Sequence, residues 1–194
     1  MEPRSPGGKR LRADARHNRE ALVSAARELF VERGSGVPLD EVVRAARVGN
    51  ATLYRHFPTR RDLLVAVYAE ETESLCAKAH ERLSAADPLD GLFGWLAEFV
   101  AHVAGKTDLA MAATEGEDSD RSTLFDSWHA SIHEAAQPLL ERAQHRGVVT
   151  PDVATADLLT LANGIAVTSE NPTQARRLLD LLRDGIARTL SSRR

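Results

Sequence analysis

The sequence predicts an all-α protein, and two observations support that expectation. Apolar residues recur at intervals of three and four along nearly the whole chain, as they do on one face of an α-helix. No period-2 alternation of useful length is present, so no β-strand is predicted. With 194 residues the chain can bury a substantial core, in one domain or in a small domain joined to a larger one.

Charge is unevenly distributed along the chain. Residues 1–62 carry thirteen Lys or Arg and eight Asp or Glu, a net charge of +5. From totals of 25 basic and 28 acidic residues this leaves twelve and twenty for residues 63–194, a net charge of -8. A basic beginning joined to an acidic remainder indicates that only the first part meets a polyanion.

The cysteine count and the apolar runs bear on location. Cys76 is the only cysteine, so no internal disulfide can form and a reducing cytoplasm is expected. The first residues, MEPRSPGGKRLR, lack the apolar core of a signal peptide. No run of about eighteen apolar residues occurs, so no membrane span is predicted. We therefore expect a cytoplasmic protein without a membrane partner.

The first helices follow from local composition. Residues 1–13 are rich in Gly, Pro and Arg and are predicted to form a disordered basic tail, either solvated or entering a DNA minor groove as an arm. From Asp14, apolar residues at helical spacing predict a helix that ends at Gly34. A short helix then begins at Pro38, with Asp40 and a further carboxylate in its first turn, where negative charge complements the helix dipole.

A tight turn and a second short helix come next. The turn covers residues 47–49, and the helix that follows has Leu53 and Phe57 as its inward anchors. Thr59 then caps a long helix that runs to about Leu83.

The rest of the chain repeats helical patterns on a larger scale. The predicted segments are a helix from Asp87 to near Gly105, an Ala-rich piece at 109–114, an acidic loop EGEDSD, a long helix to Arg146, and helices at about 155–169 and 172–190. Pro138 lies within the long helix, where it frees the carbonyl of Glu134 and predicts a kink.

The two short helices and the turn between them have the proportions of a helix-turn-helix, whose second helix lies in the DNA major groove. On that second helix Asn50, Thr52 and Arg55 are candidates for contacts to base edges. Three further residues suit phosphate contacts, which fix the register on DNA: Tyr54, His56 and Arg60. An ordinary helical hairpin is the alternative, and the agreement of order and spacing across three helices disfavours it.

The order of four segments extends this interpretation. AARELFVERG, VVRAARV, ATLYRHF and PTRRDLL follow one another between residues 25 and 64. With these segments, residues 14–68 resemble the DNA-binding domain of the TetR family of transcriptional regulators. The resemblance implies a dimeric and mostly repressive protein, in which an effector bound in the larger domain alters the separation of the two recognition helices. It implies a three-helix DNA-binding domain at 14–58 and a larger helical effector-binding and dimerisation domain at 59–194.

Three positions depart from the family pattern. Arg47 stands where the turn glycine usually is, Gly49 where a Ser often caps the recognition helix, and Ala51 where Gly is common. Arg47 predicts either a strained residue with positive φ, which costs about 1 kcal/mol or more, or a different turn conformation. Arg47 also adds a cation close to the phosphates, so it joins Ala51 among the candidate DNA-binding residues.

A set of aromatic and polar residues in the acidic part is a candidate ligand site. Such sites are mostly apolar with a few polar groups, and the effector is expected to be a small, largely apolar molecule of unknown identity. The candidates are Trp95, Phe99, His102, Phe125, Trp128, His129 and Ile132. The same residues could simply fill the core of the domain, and the sequence leaves both alternatives open.

The last two predicted helices each carry a dense aliphatic stripe. Its members are Leu158, Leu161, Ala162, Ile165, Leu178, Leu182 and Ile186. Burying this surface within one chain is harder than pairing it with a second copy, so a four-helix homodimer interface is predicted.

One histidine pair raises a different possibility. His129 and His133 are spaced i to i+4, so both imidazoles could bind one metal ion in a helical enzyme. No Glu follows the first histidine as in a zinc protease helix, so a polar helix edge is the favoured interpretation. No catalytic residue, cofactor or metal site is therefore predicted. A ligand-responsive repressor that binds an operator in double-stranded DNA is the favoured function, ahead of a DNA-binding regulator without a small-molecule ligand.

Overall fold

Eight α-helices make up most of the computed structural model, which describes residues 7–113 and 118–187. They are α1 (Gly7–Arg33), α2 (Leu39–Ala46), α3 (Asn50–His56), α4 (Arg60–Arg82), α5 (Pro88–Ala113), α6 (Asp118–His145), α7 (Thr155–Thr168) and α8 (Pro172–Ile186). Within these residues the only β-type pairing is an isolated antiparallel bridge between Val149 and Ala187. The predicted all-α class is confirmed. None of the helices in the described ranges has the length and apolar character needed to span a bilayer.

The chain divides into two compact units. The first contains α1 to α3, the beginning of α4 through Ala69, and the end of α5 from Asp108. The second contains α4 from Glu70, α5 through Thr107, and α6 to α8. The division falls inside α4 because the first turns of that helix carry apolar residues that are buried in the first unit, among them Leu63 and Val67. The predicted boundary at residue 59 instead assigned the whole of α4 to the larger domain.

Helix α1 is longer than the sequence pattern predicts. It begins at Gly7, so residues 7–13 are helical where a disordered tail was expected. The disordered tail was predicted from the Gly, Pro and Arg content of residues 1–13, and the buried apolar positions of α1 start only at Leu22. Lys, Arg, Leu and Ala are nevertheless good helix formers, which accounts for the earlier start.

The helix ends in the first unit follow the predicted signals. Pro38 occupies the position before α2, with Asp40 in the first turn of that helix. At the start of α4 the backbone N–H of Thr59 donates to Oδ2 of Asp62 at 2.8 Å, and the N–H of Asp62 donates to Oγ1 of Thr59 at 3.2 Å. This reciprocal pair is a capping box, so Thr59 caps α4 as predicted.

Helix α5 continues where an end was predicted. The helix passes through Gly105 and includes the Ala-rich piece as far as Ala113. A single Gly within a helix costs only about 1 kcal/mol, which does not terminate a helix on its own. Likewise α6 begins at Asp118, inside the segment predicted to be an acidic loop, and it continues through Pro138. Residues 114–117 lie outside the described residues.

The core of the second unit is built around Trp95. This side chain is 0% exposed, and its indole Nε1 donates to the backbone oxygen of Leu75 at 2.9 Å. The ring stacks on Phe99 with centroids 5.8 Å apart. Buried residues from α4, α5, α6, α7 and α8 complete this core. Burial of this apolar surface supplies the main driving force for folding of the unit.

Candidate nucleic-acid interface

Helix α3 is a single short helix held by two buried anchors. Gly49 precedes it in an extended conformation, and α3 then spans Asn50–His56. Leu53 and Phe57 are both buried, as the sequence predicted. Because only one face of α3 is used for packing, its remaining side chains are available to contact another molecule.

The outward face of α3 contains four of the predicted DNA-binding residues. Asn50, Ala51 and Arg55 are exposed, and Tyr54 is 54% exposed. Their spacing places them on one side of the helix. Thr52 is half-buried, because it lies closer to the buried face. A short helix with amide, phenol and guanidinium groups on one open face suits entry into a DNA major groove.

Arg47 has a positive φ, the first of the two alternatives that the sequence left open for this position. Its φ of 56° and ψ of 38° lie in the left-handed region, and it is the only residue other than Gly with positive φ among the described residues. The N–H of Arg47 donates to the oxygen of Arg44 and the N–H of Val48 to the oxygen of Val43, both at 3.2 Å. These bonds close the end of α2 and hold Arg47, an exposed residue, in the turn before α3.

His56 lies at the end of α3 and is half-buried. Burial lowers its pKa below the ordinary value of 6.5, and the positive charges of Arg55 and Arg19 lower it further. The imidazole is therefore neutral near pH 7. A neutral ring is a weaker partner for a phosphate than a charged imidazolium would be, and a phosphate contact by His56 remains a prediction.

Arg60 has a contact that the sequence did not reveal. Its Nη2 donates to the backbone oxygens of Ser35 and Val37, the latter at 2.6 Å. The guanidinium thereby links the start of α4 to the segment between α1 and α2. Because these partners lie more than twenty residues away in sequence, no local pattern could have indicated the bond. A phosphate contact by Arg60 remains a prediction.

Arg19 also lies at this surface and was not singled out from the sequence. Its Cζ is 5.5 Å from the centroid of the Phe57 ring, which is a cation–π arrangement. The helical register of α1 gives a signal that could have found it, since Arg19 shares a face with the buried residues Val23, Ala26 and Phe30.

The candidate ligand residues divide into different environments. Five of them are buried in the second unit: Trp95, Phe99, His102, Trp128 and Ile132. His129 is exposed, and the side chain of Phe125 lies outside the described residues. Trp95 is fully buried and donates a hydrogen bond to the backbone oxygen of Leu75, and both are properties of a core residue. A ligand-binding role for the set remains a prediction.

The histidine pair has no third ligand nearby in the described part of the chain. His129 is exposed and His133 is half-buried on α6. Across residues 7–113 and 118–187, no group of three or more His, Cys, Asp or Glu side chains is arranged to hold a metal ion.

Both parts of the chain match described protein families. Residues 22–67 match the family of bacterial regulatory proteins of the tetR type. Residues 87–188 match the C-terminal domain of SbtR-like transcriptional regulators. The two matches together cover the helix-turn-helix region and most of the second unit.

Individual relatives agree with these matches. The chain is 24% identical over 173 residues to the HTH-type transcriptional regulator UidR of Escherichia coli K12, covering 86% of this chain and 88% of the relative. The crystal structure of a TetR transcriptional regulator from Streptomyces coelicolor is 32% identical with a TM-score of 0.72, covering 88% of this chain and 99% of that one. A TetR regulatory protein from Mycobacterium vanbaalenii is 31% identical with a TM-score of 0.73, covering 92% and 99%.

These matches agree with the helix-turn-helix, the open face of α3 and the larger helical unit that follows. The chain therefore belongs to the TetR family and is a DNA-binding transcriptional regulator rather than an enzyme.

Proposed function

We propose that this regulator is a repressor that binds a palindromic operator as a homodimer and is released by a small, largely apolar effector. The observation that carries the proposal is the open face of α3, which presents Asn50, Tyr54 and Arg55 to solvent while Leu53 and Phe57 hold the helix in place. Family membership supports the DNA-binding part of this proposal.

Base recognition is assigned to Asn50, Thr52 and Arg55. Arg55 can donate two hydrogen bonds to a guanine, and Asn50 can pair with an adenine, whereas Thr52 can meet a thymine methyl group. Tyr54 and Arg47 are assigned to phosphates, which position the helix without reading sequence. Ala51 offers a small surface that allows close approach to the DNA.

Dimerisation is assigned to α7 and α8. Leu161 on α7 and Leu181 on α8 are 51% and 62% exposed, an unfavourable state for large apolar side chains that a second copy would relieve. Ile165 and Leu182 pack partly against the core of their own unit, so they are less suited to the interface than the sequence suggested. Two recognition helices in a dimer must lie about 34 to 36 Å apart to enter successive major grooves.

Effector response is assigned to the buried set in the second unit that includes Phe99, His102 and Trp128. Helix α4 is continuous from the DNA-binding unit into this second unit. An effector releases DNA only if it binds the DNA-free conformation more tightly. Reversing a 99:1 population requires about 5.5 kcal/mol of differential binding, which two sites in a dimer could supply.

A binding-site selection on random duplexes tests the proposal. The wild-type protein is expected to select a palindrome, and Arg55→Ala to relax the preference at particular bases by about 1 to 3 kcal/mol. Tyr54→Phe, the control, is expected to weaken binding to all DNA sequences to a similar extent. Selection of no palindrome, or an Arg55→Ala protein with unchanged preference and affinity, would contradict it.

The second candidate function is a DNA-binding regulator that does not respond to a small molecule. It is favoured by Trp95, which is held as a core residue by its hydrogen bond to Leu75. The two candidates are separated by whether any small molecule releases the protein from its operator. Once such an effector has been identified, Trp128→Ala tests its binding site. The favoured proposal predicts that this variant keeps operator affinity and loses effector response. Release from DNA at an unchanged effector concentration would place the effector site elsewhere.

A further inference from the structure

Helix α1 extends far beyond the part of it that is buried. The helix begins at Gly7, whereas its buried positions start at Leu22, and no residue between 13 and 21 is fully buried. At 1.5 Å per residue, residues 7–21 form a helical extension of about 22 Å. Residues 13–21 are thus helical although none of their side chains is fully buried.

The extension is strongly basic. It carries Lys9, Arg10, Arg12, Arg16 and Arg19 against two acidic residues, Asp14 and Glu20. The first turn contains no acidic residue. Cations near the N-terminal end of a helix oppose the helix dipole, so this charge pattern disfavours the isolated helix. A bound polyanion would remove that penalty.

Three of the cations share one helical face. Positions 12, 16 and 19 continue the register of Val23, Ala26 and Phe30, with alternating intervals of four and three residues. We call positions 12, 16 and 19 the basic face of α1. Arg16 is 79% exposed, and its ion pair with Glu20 at 3.5 Å is a surface pair of small energetic value. Its guanidinium is therefore available to another anion.

The basic face begins beside the recognition helix. Arg19, its last member, lies over Phe57 at the end of α3. The charges of Arg19 and Arg55 both act on His56. Arg19 therefore brings the basic face of α1 next to the C-terminal end of α3.

We infer that the basic face of α1 binds backbone phosphates of the operator, on the DNA that flanks the bases contacted by α3. The inference rests on the proposed function, because it uses the same DNA duplex. It differs from both alternatives that the sequence left open, a solvated tail and an arm that enters the minor groove. An α-helix with side chains is about 10 to 12 Å wide and does not fit a minor groove about 6 Å wide. Residues 7–19 therefore act from outside the groove.

Phosphate contacts of this kind have a distinct thermodynamic effect. Each phosphate that a cation neutralises contributes about 0.9 to the slope of log K against log salt. The contribution is the same on any DNA sequence, because phosphates carry no sequence information. In the proposed homodimer, loss of two contacts in each protomer removes four contacts, which lowers the slope by about 3.6 and leaves the ratio of operator to non-operator affinity unchanged.

The test compares the full-length double variant Arg12→Gln/Arg16→Gln with wild type, on the selected operator and on an unrelated duplex, over a range of salt. Gln keeps a high helix propensity, so α1 is expected to persist, which far-UV circular dichroism verifies. The matched control is Arg10→Gln/Arg176→Gln. It removes the same net charge from the opposite side of α1 and from an exposed position on α8.

We expect the slope of the double variant, which lacks two cations in each protomer of the dimer, to fall by about 3.6 on both duplexes, and that of the control to stay near wild type. An unchanged slope in the double variant would overturn the inference, as would an equal fall in the control. A loss confined to the operator would also overturn it, because that pattern indicates base contacts. If wild type selects no operator, the proposed function fails. If wild type selects a palindrome but the double variant keeps the wild-type salt slope, only this inference fails.

Discussion

Arg60 donates a hydrogen bond from Nη2 to the backbone oxygen of Val37 at 2.6 Å, and this bond joins the first turn of α4 to the residue before the N-cap of α2. The same nitrogen donates to the oxygen of Ser35. Two carbonyls of a loop are thus satisfied by one guanidinium, which fixes the position from which the helix-turn-helix begins.

Arg60→Ala is expected to destabilise the protein. Hydrogen bonds from a charged donor contribute about 1.5 to 3 kcal/mol, and the loop carbonyls would lose this partner. Urea denaturation measures the change in the free energy of unfolding. Arg55→Ala is the matched control, an exposed arginine on α3 whose loss should change stability by less than about 0.5 kcal/mol. An Arg60→Ala protein with normal stability and weakened DNA binding would favour the phosphate role instead.

Arg47→Gly is expected to stabilise the fold and weaken DNA binding. Glycine removes the cost of the left-handed conformation, about 1 to 2 kcal/mol, but loses about 0.5 to 1 kcal/mol through its greater freedom when unfolded. A net gain of roughly 0.5 kcal/mol should appear as a higher melting temperature. Arg44→Gly, inside α2, is the control and should lower stability by about 1 kcal/mol. Loss of stability in Arg47→Gly would show that the arginine side chain stabilises the turn.

His56 is expected to make stability depend on pH below its ordinary pKa of 6.5. Because its pKa is lowered in the folded protein, the unfolded chain binds the proton more tightly. The stability contributed by the neutral ring is therefore complete above about pH 6.5 and is lost as the pH falls through the lowered pKa. Urea denaturation of wild type and His56→Gln at several pH values isolates this contribution. A wild-type advantage that grows on acidification would contradict the direction of the shift.

Trp95→Ala is expected to unfold or strongly destabilise the second unit. Truncation of a buried Trp typically costs about 3 to 5 kcal/mol, and this side chain also donates to Leu75. Trp95→Phe keeps a ring against Phe99 and should cost less. Urea denaturation followed by circular dichroism ranks the variants. If Trp95→Ala is as stable as wild type, the side chain borders open space, which would support its place in a ligand site.

Leu161→Glu combined with Leu181→Glu is expected to give folded monomers. Both side chains are exposed in the single chain, so charges there should disturb a dimer interface and leave the core intact. Analytical ultracentrifugation at micromolar concentration measures the oligomeric state, with circular dichroism as the check on folding. Leu158→Glu is the contrasting variant, since Leu158 is buried and a charge at this position should unfold the chain. A double variant that still sediments as a dimer would exclude this face of α7 and α8.

The sequence by itself predicted the elements whose information is local. Apolar periodicity located the helices, and Pro38 and Thr59 marked two of their beginnings because capping uses groups within four residues. The anchors Leu53 and Phe57 and the open face of α3 followed from helical spacing alone. The order of segments around them was specific enough to indicate the family.

Tertiary structure decided the contacts between residues far apart in the chain. Arg60 and Arg19 have partners on other elements, so periodicity carries no information about them. The same limit applies to the aromatic set, where a sequence cannot distinguish Trp95 as core from Trp95 as cavity wall, since both need a large apolar side chain. It applies also to α7 and α8, whose aliphatic residues divide between the core and an exposed face only when the helices are oriented. Helical spacing fixes which residues share a face, and packing against other elements decides what that face meets.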